Sequence, residues 1–336
     1  MELVMIFDMR APDFGAAREQ LFSTAIDMAV WADSVGFDVI GLGEHHSADD
    51  GYNPSPLILA SAMASRTQGI RLRTAVLLAP CYDPIRLAED VAILQILSKG
   101  RFELGLGFAY RSVEFAMYGK ELKDRFAIGT TVGKLLKRAL RGESLEFEGR
   151  PCRVSPVPET PVPILYGGVA PKVARAAARE ADGFLVPLFK EKVWQPYRDE
   201  CLKLGKTDPG EYPKQAPTLL WISEDPDSEW EWLTPHILHV LDSYASWTAE
   251  AYGRPKGPYA GGMTPDTVRQ SGAYQVLTPD QAIDMIHQLG DNSSLYLTPL
   301  FGGVDPEHGW KMLKLFVEKV LPHVPRGIIP RWGVAN

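Results

Sequence analysis

A chain of 336 residues is long for one domain but within the range of an α/β barrel with insertions. A net charge of −7 and the lack of a basic stripe argue against nucleic acid as a main partner. No apolar run is long enough to span a bilayer.

The opening stretch Met1-Glu2-Leu3-Val4 enters a strand directly and carries no basic signal region. Three scattered cysteines, Cys81, Cys152 and Cys201, form no CxxC and read as reduced thiols, so a cytoplasmic protein is expected. Residues 3–7 form the first predicted strand, followed by a loop over 8–15 with Pro12 and Gly15. Leu21, Ala25, Met28, Ala29, Ala32 and Val35 then recur at helical spacing up to Gly36, a good C-terminal stop. Residues 38–43 are apolar and β-branched, as in a strand covered on both faces, and they end at Glu44-His45-His46. A polar loop leads to a helix over 57–66, and a third strand spans 70–78. Asp83-Pro84 reads as an N-cap with proline at the first helical position, opening a helix that stops at Gly100.

Strand four covers 102–107 and ends at Phe108-Ala109-Tyr110-Arg111. A helix over 124–140, an extended piece over 145–147 and a proline-rich stretch over 157–163 lead to strand five at 164–166. Gly167-Gly168-Val169-Ala170-Pro171 opens an alanine-rich helix, strand six lies at 183–187, and a helix follows over 191–204. Strand seven lies at 218–222. A long helix follows over 227–252, with Trp230, Leu233, Ile237, Val240, Tyr244 and Trp247 at helical spacing. Residues 253–278 are Gly/Pro-rich and irregular. A helix over 280–289, strand eight at 294–298 and a last helix from Asp305-Pro306 to Val320 complete the described pattern.

Eight strands, each followed by a helix, predict a parallel sheet closed into a (β/α)₈ TIM barrel. This expectation treats 1–336 as one domain. It places the long insertion between strands seven and eight, at 253–278, over the carboxyl face as a lid. An open doubly wound sheet is the rival, but 8–15 has no GxGxxG turn. Chemistry in such folds sits at the carboxyl ends of strands, which puts Glu44, His45 and His46 where a ligand would lie. Adjacent strand residues point to opposite sides, so at most one of the two histidines faces the site and the other is structural.

Gly105-Leu106-Gly107 lacks the third glycine of a dinucleotide fingerprint. Its glycines either let a flat ligand approach the backbone or relieve crowding. Gly167-Gly168-Val169 before a helix start is a candidate phosphate turn, with Lys172 adding charge; the bland reading is a glycine turn. Arg86 and Asp90 are placed for a surface ion pair, and Arg101 for neutralising a helix end. His236 and His239 lie on the aromatic helix, which reads first as core or interface; the alternative is that the two histidines face a substrate. No metal-ligand set and no GxSxG nucleophile motif is present.

The motifs Gly43-Glu44-His45-His46, Leu78-Ala79-Pro80 with Asp83-Pro84-Ile85-Arg86-Leu87-Ala88-Glu89-Asp90, and Leu97-Ser98-Lys99-Gly100-Arg101-Phe102-Glu103-Leu104-Gly105-Leu106-Gly107 resemble the bacterial luciferase-like flavin monooxygenases. Gly167-Gly168 and the run from Leu300 to Pro306 add to the resemblance. It implies a usually dimeric (β/α)₈ barrel that binds FMN or a 5-deazaflavin coenzyme at the carboxyl ends of its strands. It also implies a non-prolyl cis peptide at Ala75-Val76 supporting one face of the ring system, and a dimer made by the helices over 57–66 and 87–97. Tyr110 and Arg111 would flank the ring or phosphate.

Two positions depart from the pattern. Gly107 stands where the luciferase α chain has a reactive cysteine, and Val169 where many members have serine or threonine. The function implied is oxygenation of a small apolar organic substrate with reduced FMN, delivered by a separate flavin reductase because no second nucleotide fingerprint is present. His45 is the catalytic group and Glu44 orients a neighbour. Asn53 and the helix over 230–252 shape the substrate pocket. Hydride transfer with a deazaflavin, and a flavin-binding protein without turnover, are the alternatives.

Overall fold

In the computed structural model, which describes residues 1–185, 191–256 and 263–326, strands and helices alternate from the first residues onward. The chain opens β1 (Glu2–Phe7), α1 (Arg18–Val35), β2 (Val39–Leu42), α2 (Pro56–Arg66), β3 (Arg71–Thr74), β4 (Leu77–Leu78) and α3 (Pro84–Leu97). It continues through β5 (Phe102–Gly107), α4 (Ser112–Met117), α5 (Arg125–Ala139), β6 (Leu145–Phe147), β7 (Arg150–Cys152), β8 (Ile164–Gly167), α6 (Pro171–Glu180), β9 (Gly183–Leu185) and α7 (Glu191–Lys203). Then come β10 (Lys214–Gln215), β11 (Leu219–Ile222), α8 (Pro226–Tyr252), α9 (Pro265–Gln270), β12 (Tyr274–Leu277), α10 (Pro279–Leu289), β13 (Ser293–Leu297) and α11 (Pro306–Leu315).

Local chemistry sets the element ends. Gly36 closes α1 with φ of 88°, its N–H returning to the Ala32 carbonyl. Asp83 opens α3 by accepting the N–H groups of Ile85 and Arg86 at 2.9 and 3.0 Å, with Pro84 in the first turn. The Arg86–Asp90 pair forms on the exposed face of α3. Arg101 does neutralise a helix end, but the end is that of α2 rather than of the helix just before it. Its guanidinium donates to the carbonyls of Ala64, Thr67 and Ile70 and to the Thr67 hydroxyl.

The chain packs as two compact units. The first comprises Met1–Gly41, His46–Pro54 and Pro213–Ile329; the second comprises Leu42–His45 and Ser55–Tyr212. In the first unit the strand order is β10-β13-β1-β2, with β13 parallel to both β10 and β1. Its core is Leu3, Met5, Phe7, Met28, Leu295, Leu297 and Phe316, all fully buried. In the second unit the order is β3-β5-β8-β9, all parallel, with β4 paired to β5 through Leu77 opposite Leu106 and Leu78 opposite Gly107. Leu72, Leu104, Phe102, Tyr166 and Phe184 fill that core.

Several expectations change. The strand over 70–78 is two strands, β3 and β4, parted at Ala75-Val76, which is the cis peptide the motif implied. The stretch over 253–278 is not irregular throughout. It holds α9, opened by a Thr264–Thr267 capping box, and β12, which pairs parallel with β11 from Leu219 opposite Tyr274 to Ile222 opposite Leu277. Residues 274–277 are therefore a strand of the first unit, and residues 257–262 lie outside the described residues. The Gly272 and Thr278-Pro279 flanks mask the four-residue alternation of Tyr274-Gln275-Val276-Leu277. The extended piece at 145–147 is one arm of an antiparallel hairpin, β6–β7. Strand six is seen as β9, and residues 186–187 of the expected strand lie outside the described residues.

Candidate active site

The motif Glu44-His45 follows β2 and is held by groups remote in sequence. Glu44 is buried, and its two carboxylate oxygens accept the Leu78 N–H at 2.7 Å and the Tyr82 hydroxyl at 2.8 Å. Burial and the negative charge of Glu44 push the Tyr82 phenol well above its ordinary range, so it stays a neutral donor. Lys120 braces the same turn: its amino group donates to the carbonyls of Pro80 and Tyr82. Burial lowers the pKa of that amino group. Cys81 lies in this turn, and its thiol is pushed up by burial and by the charges of Glu44 and Glu114, which keeps it protonated and weakly nucleophilic.

His45 is fixed from the other side. Its Nδ1 lies 2.7 Å from Oε1 of Glu114, whose side chain is wholly buried on α4. The contact sets Nδ1 against the buried Glu114 carboxyl group and fixes the orientation of the ring. The Tyr110 ring meets the imidazole edge-on at 5.6 Å. Glu114 and Tyr82 were not singled out from the sequence. His46 is buried too and belongs to the first unit; both histidines lie past the end of β2 rather than in the strand.

The cis peptide stands beside this cluster in sequence space and in β-sheet order. The Ala75 N–H bonds the Leu42 carbonyl at 2.7 Å. Ala75 is exposed and Val76 half-buried, between the buried Thr74 and Leu77. A Cβ added at Gly107 would lie 2.3 Å from Val76 Cγ2, and one added at Gly167 would lie 2.5 Å from Val76 Cγ1. The two glycines therefore make room for Val76, which they seat as an apolar ledge. At Gly105 an added Cβ would sit 2.1 Å from the Thr74 carbonyl oxygen, so that glycine relieves backbone crowding.

Past the ledge, Gly168 precedes Val169, which is 58% exposed, and α6 starts at Pro171. Lys172 is exposed and sets its ammonium 4.6 Å from the Phe126 ring. Arg111 is buried at the start of α4. Within the second unit, a partly exposed apolar ledge, a glycine turn into a helix start and an exposed lysine are features that fit a flat ring carrying a phosphate.

The aromatic helix α8 lies in the first unit. Its His236 donates through Nδ1 to the Gly302 carbonyl, 2.9 Å away, and burial lowers its pKa. His239 pairs through Nε2 with Asp50 at 2.8 Å. Asn53 is buried in the same unit.

A profile of the luciferase-like monooxygenase family matches residues 1–291. The chain belongs to this family. The fold of this luciferase-like chain is that of monooxygenase RslO1 from Streptomyces bottropensis, with a TM-score of 0.77 and 24% identity over 96% of this chain and 99% of that one. It is also that of the oxygenating constituent of 3,6-diketocamphane monooxygenase from Pseudomonas putida, solved with FMN. There the TM-score is 0.73 with 19% identity over 97% and 99% of the two chains. These likenesses establish a parallel, TIM-barrel-like α/β fold. Among curated proteins, an F420-dependent glucose-6-phosphate dehydrogenase of Amycolatopsis mediterranei is 31% identical over 54% of this chain and 60% of its own length. The chain spans less than two thirds of the curated relatives it matches first, 38% of one of them.

Proposed function

We propose that this luciferase-like protein is an FMN-dependent monooxygenase that oxygenates a small apolar organic substrate, with His45 as its acid–base group. The buried His45–Glu114 pair carries this reading: a carboxylate orients an imidazole, the side chain suited to proton transfer near neutral pH. Bound reduced FMN supplies the electrons for oxygen activation. The protein's own part is to hold and protonate. Glu114 steadies the imidazolium, and Glu44 anchors the Leu78–Tyr82 turn. The Val76 ledge, seated by Gly107 and Gly167, carries one face of the ring. Tyr110 and Arg111 flank the ring or phosphate, and Gly168, Val169 and Lys172 take the phosphate. We keep the single-barrel reading of the chain, a cytoplasmic location, and a separate flavin reductase as the electron source. A homodimer is assigned to α2 and α3, where Ile58, Ile93, Ile96 and Leu97 are exposed.

A second reading, hydride transfer with the deazaflavin F420, is favoured by the F420-dependent relative. The diketocamphane enzyme with FMN and the family motifs support the first. Fluorescence titration with FMN and with F420 separates them: tight binding of FMN is expected, and tight binding of F420 alone reverses the choice. FMN binding with no turnover on any reductant and substrate pair would mark a flavin-binding protein without catalysis.

A further inference from the structure

Within the second unit, one short segment reaches both parts of the candidate site. Helix α4 carries Glu114, which meets His45 Nδ1 at 2.7 Å, and the next residue, Phe115, is also buried. Phe115 packs in one apolar cluster with Leu78, Cys81 and Ala109, and Val76 and Tyr82 lie against the same cluster. The helix then ends in a glycine turn. Gly119 takes φ of 62°, its N–H returns to the Ala116 carbonyl at 3.2 Å, and the Lys120 N–H returns to the Phe115 carbonyl at 2.9 Å. This paired closure is a Schellman motif, whose left-handed position suits glycine. It fixes where the Lys120 backbone stands relative to Glu114 and Phe115.

The Lys120 side chain crosses from there to the turn after β4. Its Nζ donates to the Pro80 carbonyl at 2.5 Å and to the Tyr82 carbonyl at 3.0 Å. Lys120 is half-buried, and it commits its ammonium to two main-chain carbonyls of a remote turn rather than leaving it in water. Hydrogen bonds from a charged donor are roughly twice as strong as neutral ones. Glu44 holds the same turn through the Leu78 N–H and the Tyr82 hydroxyl. The turn is thus gripped by a carboxylate next to His45 and by an ammonium from the segment that carries Glu114. Leu78 pairs with Gly107, and Val76 occupies the room left by Gly107 and Gly167, so this turn continues directly from the ledge.

We infer that Lys120 is a positioning residue of this site: it clamps the turn after the Val76 ledge to α4, so that the ledge and the Glu114–His45 pair hold one alignment. Lys120 is assigned no contact with substrate; it acts through the Pro80 and Tyr82 carbonyls and through α4. The inference rests on the reading of the ledge as the seat of a flavin ring and of His45 as the acid–base group. Without the clamp, the apolar contacts of Phe115 still hold the parts together, but α4 is free to shift against the turn. A misplacement of about 1 Å set up away from the reacting atoms costs up to about 10²-fold in rate.

The test uses the full chain and a panel of cyclic ketones with reduced FMN and oxygen, and of secondary alcohols with F420. Lys120→Met keeps most of the apolar stem but removes the donors. Lys120→Arg keeps a cation able to serve two carbonyls. Lys120→Gln, an uncharged donor of shorter reach, replaces the methionine variant should that one not fold. Lys120→Met is expected to move the His45 ring signals in the ¹⁵N spectrum of the flavin-free chain, assigned by their loss in His45→Ala. It should also change the visible circular dichroism of the bound flavin and lower kcat at saturating flavin by about 10–10²-fold, while unfolding near the parent's temperature. Lys120→Arg should restore all three readouts, with Lys120→Gln between. Parent-like ring signals, dichroism and kcat in the folded methionine or glutamine variant overturn the inference and leave the function standing. A loss of kcat that tracks the unfolding temperature, with ring signals and dichroism unchanged, makes Lys120 a stability contact and also overturns it. A parent that binds neither FMN nor F420 and turns over neither panel defeats the proposed function, and this assignment with it.

Discussion

Glu114 decides what His45 can do. With Glu114 at 2.7 Å from Nδ1, the neutral tautomer that carries its proton on Nδ1 is favoured over the one that carries it on Nε2. Glu114→Gln keeps an acceptor of the same shape but removes the charge. It is expected to lower kcat by about 10²-fold with little change in unfolding temperature, measured by steady-state kinetics beside a melting curve. A parent-like kcat would mean that Glu114 only packs. His45 itself was legible from its place after a buried strand. Glu114 was not, because it lies 69 residues away on a helix of six residues with no periodic signature. Gly107 and Gly167 were legible as special positions, but their physical reason, the Val76 side chain seated against both, depends on a contact between separate strands. Likewise Arg101 was readable as a helix-end cation, while the identity of the end, α2, was set by folding.

Long, strongly patterned segments were read well from sequence. The α8 helix, the Asp83-Pro84 start of α3 and the parallel strands β1, β2, β5 and β8 stand where periodicity and caps placed them. Short strands beside glycine and proline were lost, as at β10 and β12, because two to four residues of alternation do not outweigh loop-like flanks.

The α8 helix makes a test of electrostatics at its own level. The Asp50 carboxyl, at about 2 in the folded chain, lies below its ordinary value of about 3.9. A depressed carboxyl stabilises the fold fully above its unfolded value, and that stability is lost as pH falls through the folded one. The pair formed with Arg10 and His239 is thus expected to contribute about 2 kcal/mol by linkage above pH ~4, fading toward pH ~2. Urea unfolding of the parent and Asp50→Asn across this window checks it: the gap between them should narrow as pH falls. A constant gap would assign the effect to packing alone.

The α2 and α3 helices pack together and leave Ile58 at 74% exposure on α2 and Ile93, Ile96 and Leu97 exposed on α3. An apolar patch of this kind on a monomer marks a contact surface. Light scattering is expected to give twice the chain mass of 37.2 kDa, and Ile58→Asp combined with Ile93→Asp should give the single chain. A parent that scatters as a monomer at micromolar concentration would remove the dimer from the account.

Oxygen consumption and product formation with supplied reduced FMN bear most directly on the proposed reaction. They would be compared across the parent, His45→Ala and His46→Ala, with FMN binding measured for each. The parent should oxidise substrate, His45→Ala should bind FMN yet fall by about 10²–10⁴-fold, and His46→Ala should keep most of the rate once folded. Substrate oxidation by FMN-bound His45→Ala at the parent's rate would contradict the role given to His45 and the mechanism built on it.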